Sequence, residues 1–467
     1  MACGLFKQLT FAGRADVLSA LSLELANVRA AWDEWSARAD VGRLNDLLPP
    51  LWGYYDARGE YRSVIELGND LLACLATTPD TPERRRDEFV VRMNLVRTEV
   101  AVRGFTVEAE QMILDALDEA AAAQDDRQRF PGLRSLAYLH TMRADMTRMH
   151  AVAEELMVIA EQEQDPLLLS ESHLLTGLSR AWLDDLPSSL DHHRQAVEQF
   201  EAARSGHVDF RVGPNPGVVA NVVSGLTSWM VGCPEAAEST MQRALDVAAG
   251  LDHPFSMAYA LHHAALLDAW RQDLAGVGTR AEALAAIAEL HDYPTWRALA
   301  LVWRGIAMVG SGAVDAGLAR VDEGFELYQG LSTPPVFWPA LLMLRAIALG
   351  MAGHGEDGLA CIQEAEATLQ DGDPMAPDVA VVHGQLFLVL TPPDAPAAIA
   401  QLQQAADVAG ARGARMARLQ ALTHLAELQR GTTGETNAVR ALQEAYDGFT
   451  EGFASPHLVA ARAALEQ

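Results

Sequence analysis

Lysine is almost absent from this chain: Lys7 is the only one in 467 residues. A phosphate-binding P-loop needs a Gly-Lys-Ser/Thr triplet, because its lysine reaches the terminal phosphates. Gln8 follows Lys7, so no such triplet exists. Kinase and lysine Schiff-base chemistry lose their central residue as well. Cysteine is scarce too. Cys3, Cys74, Cys233 and Cys361 are far apart and form no CxxC, which argues against a zinc site or a disulfide framework and fits reduced thiols in the cytoplasm. Long apolar runs are missing. The opening MACGLFKQLTFAG has no apolar core of signal-peptide length, and the most apolar window, 338–353, carries Arg345 in its middle. Neither HExxH nor GxSxG occurs. No cofactor, metal or membrane partner is expected, and the protein is expected to be cytoplasmic.

Half the residues are hydrophobic and the net charge is −28. That charge argues against direct binding to nucleic acid, whose phosphates call for a basic face. It fits a solvated acidic surface that keeps a long chain soluble. Alanine and leucine dominate and β-branched runs are few, which favours helix.

The turns recur. Helical apolar periodicity is interrupted at Gly59, Gly104, Asp145, Asp185, Gly232, Asp273, Gly312 and Gly353, at successive spacings of 45, 41, 40, 47, 41, 39 and 41 residues. Two further turns fall near Pro393 and Gly431. A period near 40 residues with two helices per period marks a helical solenoid. Asp-Pro and related starts such as DPLLLSESH, DHPFSMAYA, DYPTWRALA and STPPVFWPA open the first helix of a unit. Small residues flank the turns at matching offsets. Gly225, Gly305 and Ala346 stand seven before a turn, and Ala237, Gly278, Gly317 and Gly358 stand five after one. Missing side chains there let the two helices of a hairpin approach, which is the packing logic of tetratricopeptide repeats. The first hairpin departs, with Trp52 and Val64 at these offsets, and the sixth has Leu266.

The fold predicted is all-α: a right-handed superhelical solenoid of about ten tetratricopeptide-like hairpins, capped by a helix at each end. Its divisions are a lead-in over 1–13, a capping helix over 14–40, the array over 41–450 and a closing helix over 451–467. A last hairpin exposes an apolar face that needs covering. Tyr446, Phe449 and Phe453 can close that hairpin, and the helix begun by Ser455 can cover its end.

Three stretches carry a family resemblance. LELANVRAAWDEWSARADVGRLNDLLPPLWGYYDARGEYRSVIELGNDLL resembles the segment that opens the repeat arm of bacterial STAND/NB-ARC signalling ATPases, with Asn27 and Arg29 where that family has an NLRAAL-type motif. HPFSMAYALHHAALLDAWRQD and FTEGFASPHLVAARAALE resemble the late repeats and terminal helix of cyclase-linked members. The ATPase and effector domains that precede such arms are missing from this sequence. A stand-alone relative, a degraded gene and a fragment of a longer reading frame remain open. The resemblance implies a non-catalytic interaction or sensor arm in bacterial signal transduction or transcriptional regulation. Its partner would be a protein or peptide, including an ATPase or effector domain. The alternatives are a small-molecule sensor, with its ligand in the superhelix groove, and an unrecognised helical enzyme.

Trp182, Trp229 and Trp270 each lie three residues before a turn, so they occupy one equivalent place in consecutive hairpins. A tryptophan row facing the groove would give a partner rigid contact area. Packing between neighbouring first helices is the plainer reading. His262 and His263 are candidates for the same groove. Adjacent histidines point about 100° apart on a helix, so they do not form the i, i+4 pair a metal needs.

Overall fold

The computed structural model describes residues 14–56, 61–103, 106–122, 126–183, 185–203, 214–251, 253–291, 293–331 and 335–466. The lead-in over 1–13 and the turns at Gly59 and Gly104 lie outside the described residues. Among those described there are 22 α-helices and no strand. They fall into two compact units, divided after His140.

The first unit holds α1 (Arg14–Ala37), α2 (Val41–Asp56), α3 (Tyr61–Ala76), α4 (Pro82–Arg103), α5 (Val107–Ala122) and α6 (Asp126–Met142), with the division near the end of α6. α1 lays Val28 and Trp32 on a core built from Leu44, Leu51, Leu67 and Leu71 of the first hairpin. Trp32 Nε1 donates to Asp70 at 3.1 Å. The bulky pair at the small-residue offsets is accommodated directly, because Trp52 Nε1 donates to the Val64 carbonyl at 3.1 Å. The arginine run that opens α4 is neutralised locally. Arg85 is held by both oxygens of Asp80, and Arg84 by Asp80 and Glu88.

The second unit continues with α7 (Met146–Glu163), α8 (Pro166–Trp182), α9 (Leu186–Ala202), α10 (Pro216–Met230), α11 (Pro234–Gly250), α12 (Pro254–Trp270), α13 (Leu274–Leu290), α14 (Pro294–Gly310) and α15 (Val314–Gln329). After a short 3-10 turn come α16 (Trp338–Met351), α17 (Gly355–Thr368), α18 (Ala376–Phe387), α19 (Ala395–Arg412), α20 (Arg415–Leu428), α21 (Glu435–Tyr446) and α22 (Pro456–Glu466). The turn signals sit where the helices break. Asp145, Asp185 and Asp273 each accept a hydrogen bond from the first turn of the following helix, satisfying an amide that has no intrahelical partner. Asp165 caps α8 in the same way, ahead of Pro166. In DHPF and DYPT the capping positions are His253 and Tyr293, neither of which makes a side-chain cap bond.

Close approach within hairpins rests on the small residues. A Cβ on Gly305 would lie 2.6 Å from the Gly317 carbonyl, and one on Gly317 would lie 2.8 Å from the Gly305 carbonyl. Neither position tolerates a side chain without separating α14 from α15. The first helices α8, α10, α12, α14, α16, α18 and α20 each touch the next and form an inner layer, while the second helices pack outside them. α10, in the inner layer, buries nearly its whole circumference, whereas α11 buries one stripe.

The inner layer closes on itself, since α10 also touches α20. The edge carrying the hairpin turns of α8–α13 thereby meets the edge carrying the later inter-hairpin loops. Glu451 accepts from the amides of Glu235 and Ala236, both at 3.0 Å, across 216 and 215 residues. Glu235 returns the bond, accepting from the Gly452 amide at 3.0 Å. His457 Nε2 donates to the Trp270 carbonyl at 2.7 Å. Gly413 packs on Pro187, and Gly372 lies against the Trp182 carbonyl. These contacts form a seam along one side of the second unit.

The closing segment therefore has two tasks. α22 buries Leu458, Ala461 and Ala464 against α20 and α21. Tyr446 packs on Phe453, with ring centroids 5.9 Å apart. Phe449 reaches beyond its own hairpin to the turn at Gly232, where a Cβ would lie 2.8 Å from its ring.

Candidate functional site

A cavity of about 390 Å³ opens in the seam of the second unit. One wall comes from the start of the unit: Arg143 and Ala144 in the α6–α7 turn and Trp182 at the end of α8. The other comes from much later in the chain. Tyr328 lies at the end of α15, Val336 precedes α16, Trp338 and Pro339 open it, Thr368 ends α17, and Gln370 and Asp373 follow it. The two walls are held together by the contact of Gly372 with Trp182. Gly372 has φ +78°, and a Cβ there would stand 1.8 Å from the Trp182 carbonyl. Only glycine meets both the left-handed backbone and the close approach.

The lining is aromatic with one charge of each sign. Tyr328 and Trp338 stack at 6.2 Å and 19°, and Phe325 supports Trp338 from behind at 5.1 Å. Asp373 is 4% exposed. Its carboxylate accepts from the Met375 amide at 2.9 Å, and its carbonyl accepts from Arg412 Nη1 at 2.6 Å, so its loop is fixed from both sides. Burial pushes the Asp373 carboxyl up to about 6. Behind Trp338 lies a second, more polar hollow of about 330 Å³, where Arg345 pairs with Asp322 at 2.9 Å and covers the Phe325 ring.

The sequence candidates divide. Trp182 is half-buried and lines the cavity. Trp229 is 1% exposed and belongs to the core, so it is not offered to a groove. It stacks on Trp270 at 6.5 Å and 11°, and the His457 ring meets its edge at 5.7 Å. The cause is the seam: the ends of α10 and α12 are covered by the closing segment. Trp270 is half-buried in the same contact. His262 and His263 are buried. His262 Nδ1 accepts from Trp303 Nε1 at 3.0 Å, and His263 Nδ1 bonds the Tyr259 carbonyl at 2.8 Å. Burial holds His262 well below the usual imidazole range and His263 at about 4, so both rings are neutral at pH 7 and serve the inner aromatic packing.

Among the described residues no group of three His, Cys, Asp or Glu side chains is placed to hold a metal. Burial raises the thiols of Cys74, Cys233 and Cys361, the last to about 11, which removes the thiolate a nucleophile needs. No described helix is long and apolar enough to cross a membrane. Trp338 and Asp373 were not singled out from sequence, although STPPVFWPA, which holds Trp338, is a marked helix start.

No protein-family profile matches the chain, and no curated protein is significantly similar to it. Solved structures do match. A Rap protein complexed with competence and sporulation factor covers 87% of this chain and 99% of its own, at 12% identity and a TM-score of 0.51. A human IFIT1 dimer with PPP-AAAA covers 93% of each chain at 14% identity and a TM-score of 0.45. A STAND signal-transduction ATPase with a tetratricopeptide repeat sensor, from Pyrococcus horikoshii, covers 78% of this chain and 53% of its own, at 12% identity and a TM-score of 0.41. These likenesses are of fold alone. The chain has a tetratricopeptide-like, all-α solenoid architecture.

Proposed function

We propose that this chain is a non-catalytic sensor arm in signal transduction, and that its second unit captures a small ligand in the seam cavity. The observation that carries the reading is the origin of the walls: Trp182 comes from the first part of the unit and Trp338 and Asp373 from a part well over a hundred residues later. A ligand touching both walls binds the closed seam better than an open one, so occupancy stabilises closure. A partner that distinguishes closed from open, such as an ATPase or effector domain, then reads the ligand. A volume of about 390 Å³ suits a small molecule, within the roughly 300–1,000 Å³ of ligand pockets. A peptide laid along a tryptophan row would need three presented indoles, and Trp229 is enclosed.

The test is a thermal-shift screen of a metabolite library against the wild type, Trp338→Ala and Trp182→Ala. A ligand at a hundred times its Kd stabilises by about 2.7 kcal/mol. Hits should raise the wild-type melting temperature and leave both variants unmoved. Hits that stabilise the variants equally would place binding elsewhere, and a screen without hits would reject the reading.

A further inference from the structure

We propose that residues 447–455 form an autoinhibitory strap, seated on the head of α11 as a bound peptide would be. The partner that displaces it presents an extended segment with an aromatic ring two residues ahead of a carboxylate. The strap's own Phe449 and Glu451 have that spacing. The inference rests on the reading that a partner senses closure of the seam, and it uses none of the residues that line the cavity.

Two anchors hold the strap. Cys233, at the cap position of α11, makes no side-chain cap bond. The amides of Glu235 and Ala236 therefore take their acceptor from Glu451, whose charge the positive end of the helix favours. Arg194 and Arg415 add positive charge around Cys233, and Arg415 also donates to the Gly448 carbonyl at 3.3 Å. The second anchor is Phe449, 5% exposed, which lies on Gly232. The left-handed backbone and missing side chain of Gly232 leave room for the ring. Around these anchors the strap faces solvent, with Asp447, Gly448, Thr450, Phe453 and Ala454 exposed. Its far end is fixed, because α22 stays buried on α20 and α21 through Leu458, Ala461 and Ala464. The strap can thus lift as a loop while the hairpins on either side stay packed. Lifting bares the α11 head and the Gly232 turn together. The tether keeps the strap at a roughly millimolar effective concentration, so a competitor needs both anchors to displace it.

The experiment titrates the full chain into a fluorescein-labelled peptide, DGFTEGFAS, which is the strap's own sequence, and follows anisotropy. Glu451→Ala should unseat the strap and bind the peptide about tenfold or more tightly than the wild type, whose site is filled. Changing the peptide's glutamate to glutamine should weaken binding to the variant about tenfold, through loss of a charged acceptor. Changing its first phenylalanine to alanine should weaken it about tenfold as well, through loss of the aromatic anchor. Bound peptide should restore slow hydrogen exchange to the Glu235 and Ala236 amides of the variant, which locates it on the α11 head. Circular dichroism will confirm folding. If Glu451→Ala is not folded, Gly452→Ala serves, because a Cβ there collides with Pro234 and unseats the strap with Glu451 intact. Four results overturn the proposal: no binding to the unseated chain, equal binding to wild type and variant, indifference to either peptide change, or binding that leaves the two amides fast. A peptide that fails leaves the cavity reading standing, and a metabolite screen without hits leaves the strap standing, so the two fail separately.

Discussion

Replacing Trp229 and Trp182 by alanine, one at a time, separates core from cavity among residues that look equivalent in sequence. A tryptophan buries about 150–250 Å². At roughly 25 cal/mol per Å², full burial contributes about 4–6 kcal/mol relative to an extended chain, which is an upper bound. Trp229 is 1% exposed and held between Trp270 and His457, so its truncation opens a cavity that neighbours from two edges of the seam cannot both fill. The expected loss is about 3–5 kcal/mol. At about 2 °C per kcal/mol for a unit of this size, melting should fall by about 6–10 °C. Trp182 is half-buried beside a hollow, so Trp182→Ala should cost about 1–2 kcal/mol and about 2–4 °C while abolishing ligand stabilisation. Scanning calorimetry of the two variants, each with and without a screening hit, reads both quantities. Equal shifts, or a Trp229→Ala protein as stable as the wild type, would refute the placement of Trp229 in the core and the seam that encloses it.

The remaining expectations concern the seam and its buried acid. Gly372→Ala forces a Cβ against the Trp182 carbonyl at a left-handed φ; it should lower the melting temperature and enlarge the radius of gyration in small-angle scattering, and no change in either would contradict the contact. The Asp373 carboxyl lies near 6 in the folded protein against an ordinary 3.8, so the native state holds its proton longer. Stability from this group is therefore full below about pH 4 and is lost as pH rises through 6, by about 3 kcal/mol in all. Asp373→Asn, whose amide oxygen still accepts from Met375, should melt with a flatter pH profile between 4 and 7.5; a variant that keeps the wild-type fall would disprove the assignment. Deleting 455–467 removes Leu458, Ala461 and the His457–Trp270 bond, and should yield a less stable, aggregating protein rather than an unchanged monomer.

The repeat was legible because its signals are local. Asp145, Asp185 and Asp273 cap the helices that follow them, and Gly232, Gly312 and Gly353 take left-handed backbone at the turns. The offset rule for small residues also has a direct physical counterpart, since Gly225 faces the Ala237 carbonyl and Gly305 faces that of Gly317. The candidate site was legible only at Trp182. Its neighbours Trp338 and Asp373 belong to other hairpins, and a hairpin period says nothing about which edges meet when the layer closes. The same blindness left Trp229 beside Trp182 as a groove candidate, although helix packing was the plainer reading. Its offset from the turn was read correctly, but Glu451 and His457, which bring the covering segment to it, lie more than two hundred residues away. The division after His140 left no mark in the turn spacings either.

Closure of the second unit is the claim on which the cavity depends, and hydrogen exchange tests it directly. The first-turn amides of a helix have no intrahelical partner and normally exchange fast. In α15, whose cap residue Ala313 makes no side-chain bond, Asp315 and Ala316 should do so. In α11 the equivalent amides of Glu235 and Ala236 are held by Glu451 across the seam, and the Gly452 amide by Glu235. A closed seam predicts strong protection at Glu235, Ala236 and Gly452, lost together in Glu451→Ala. Exchange at these three as fast as at Asp315 and Ala316 would mean that the seam is open in solution and that the cavity is not built.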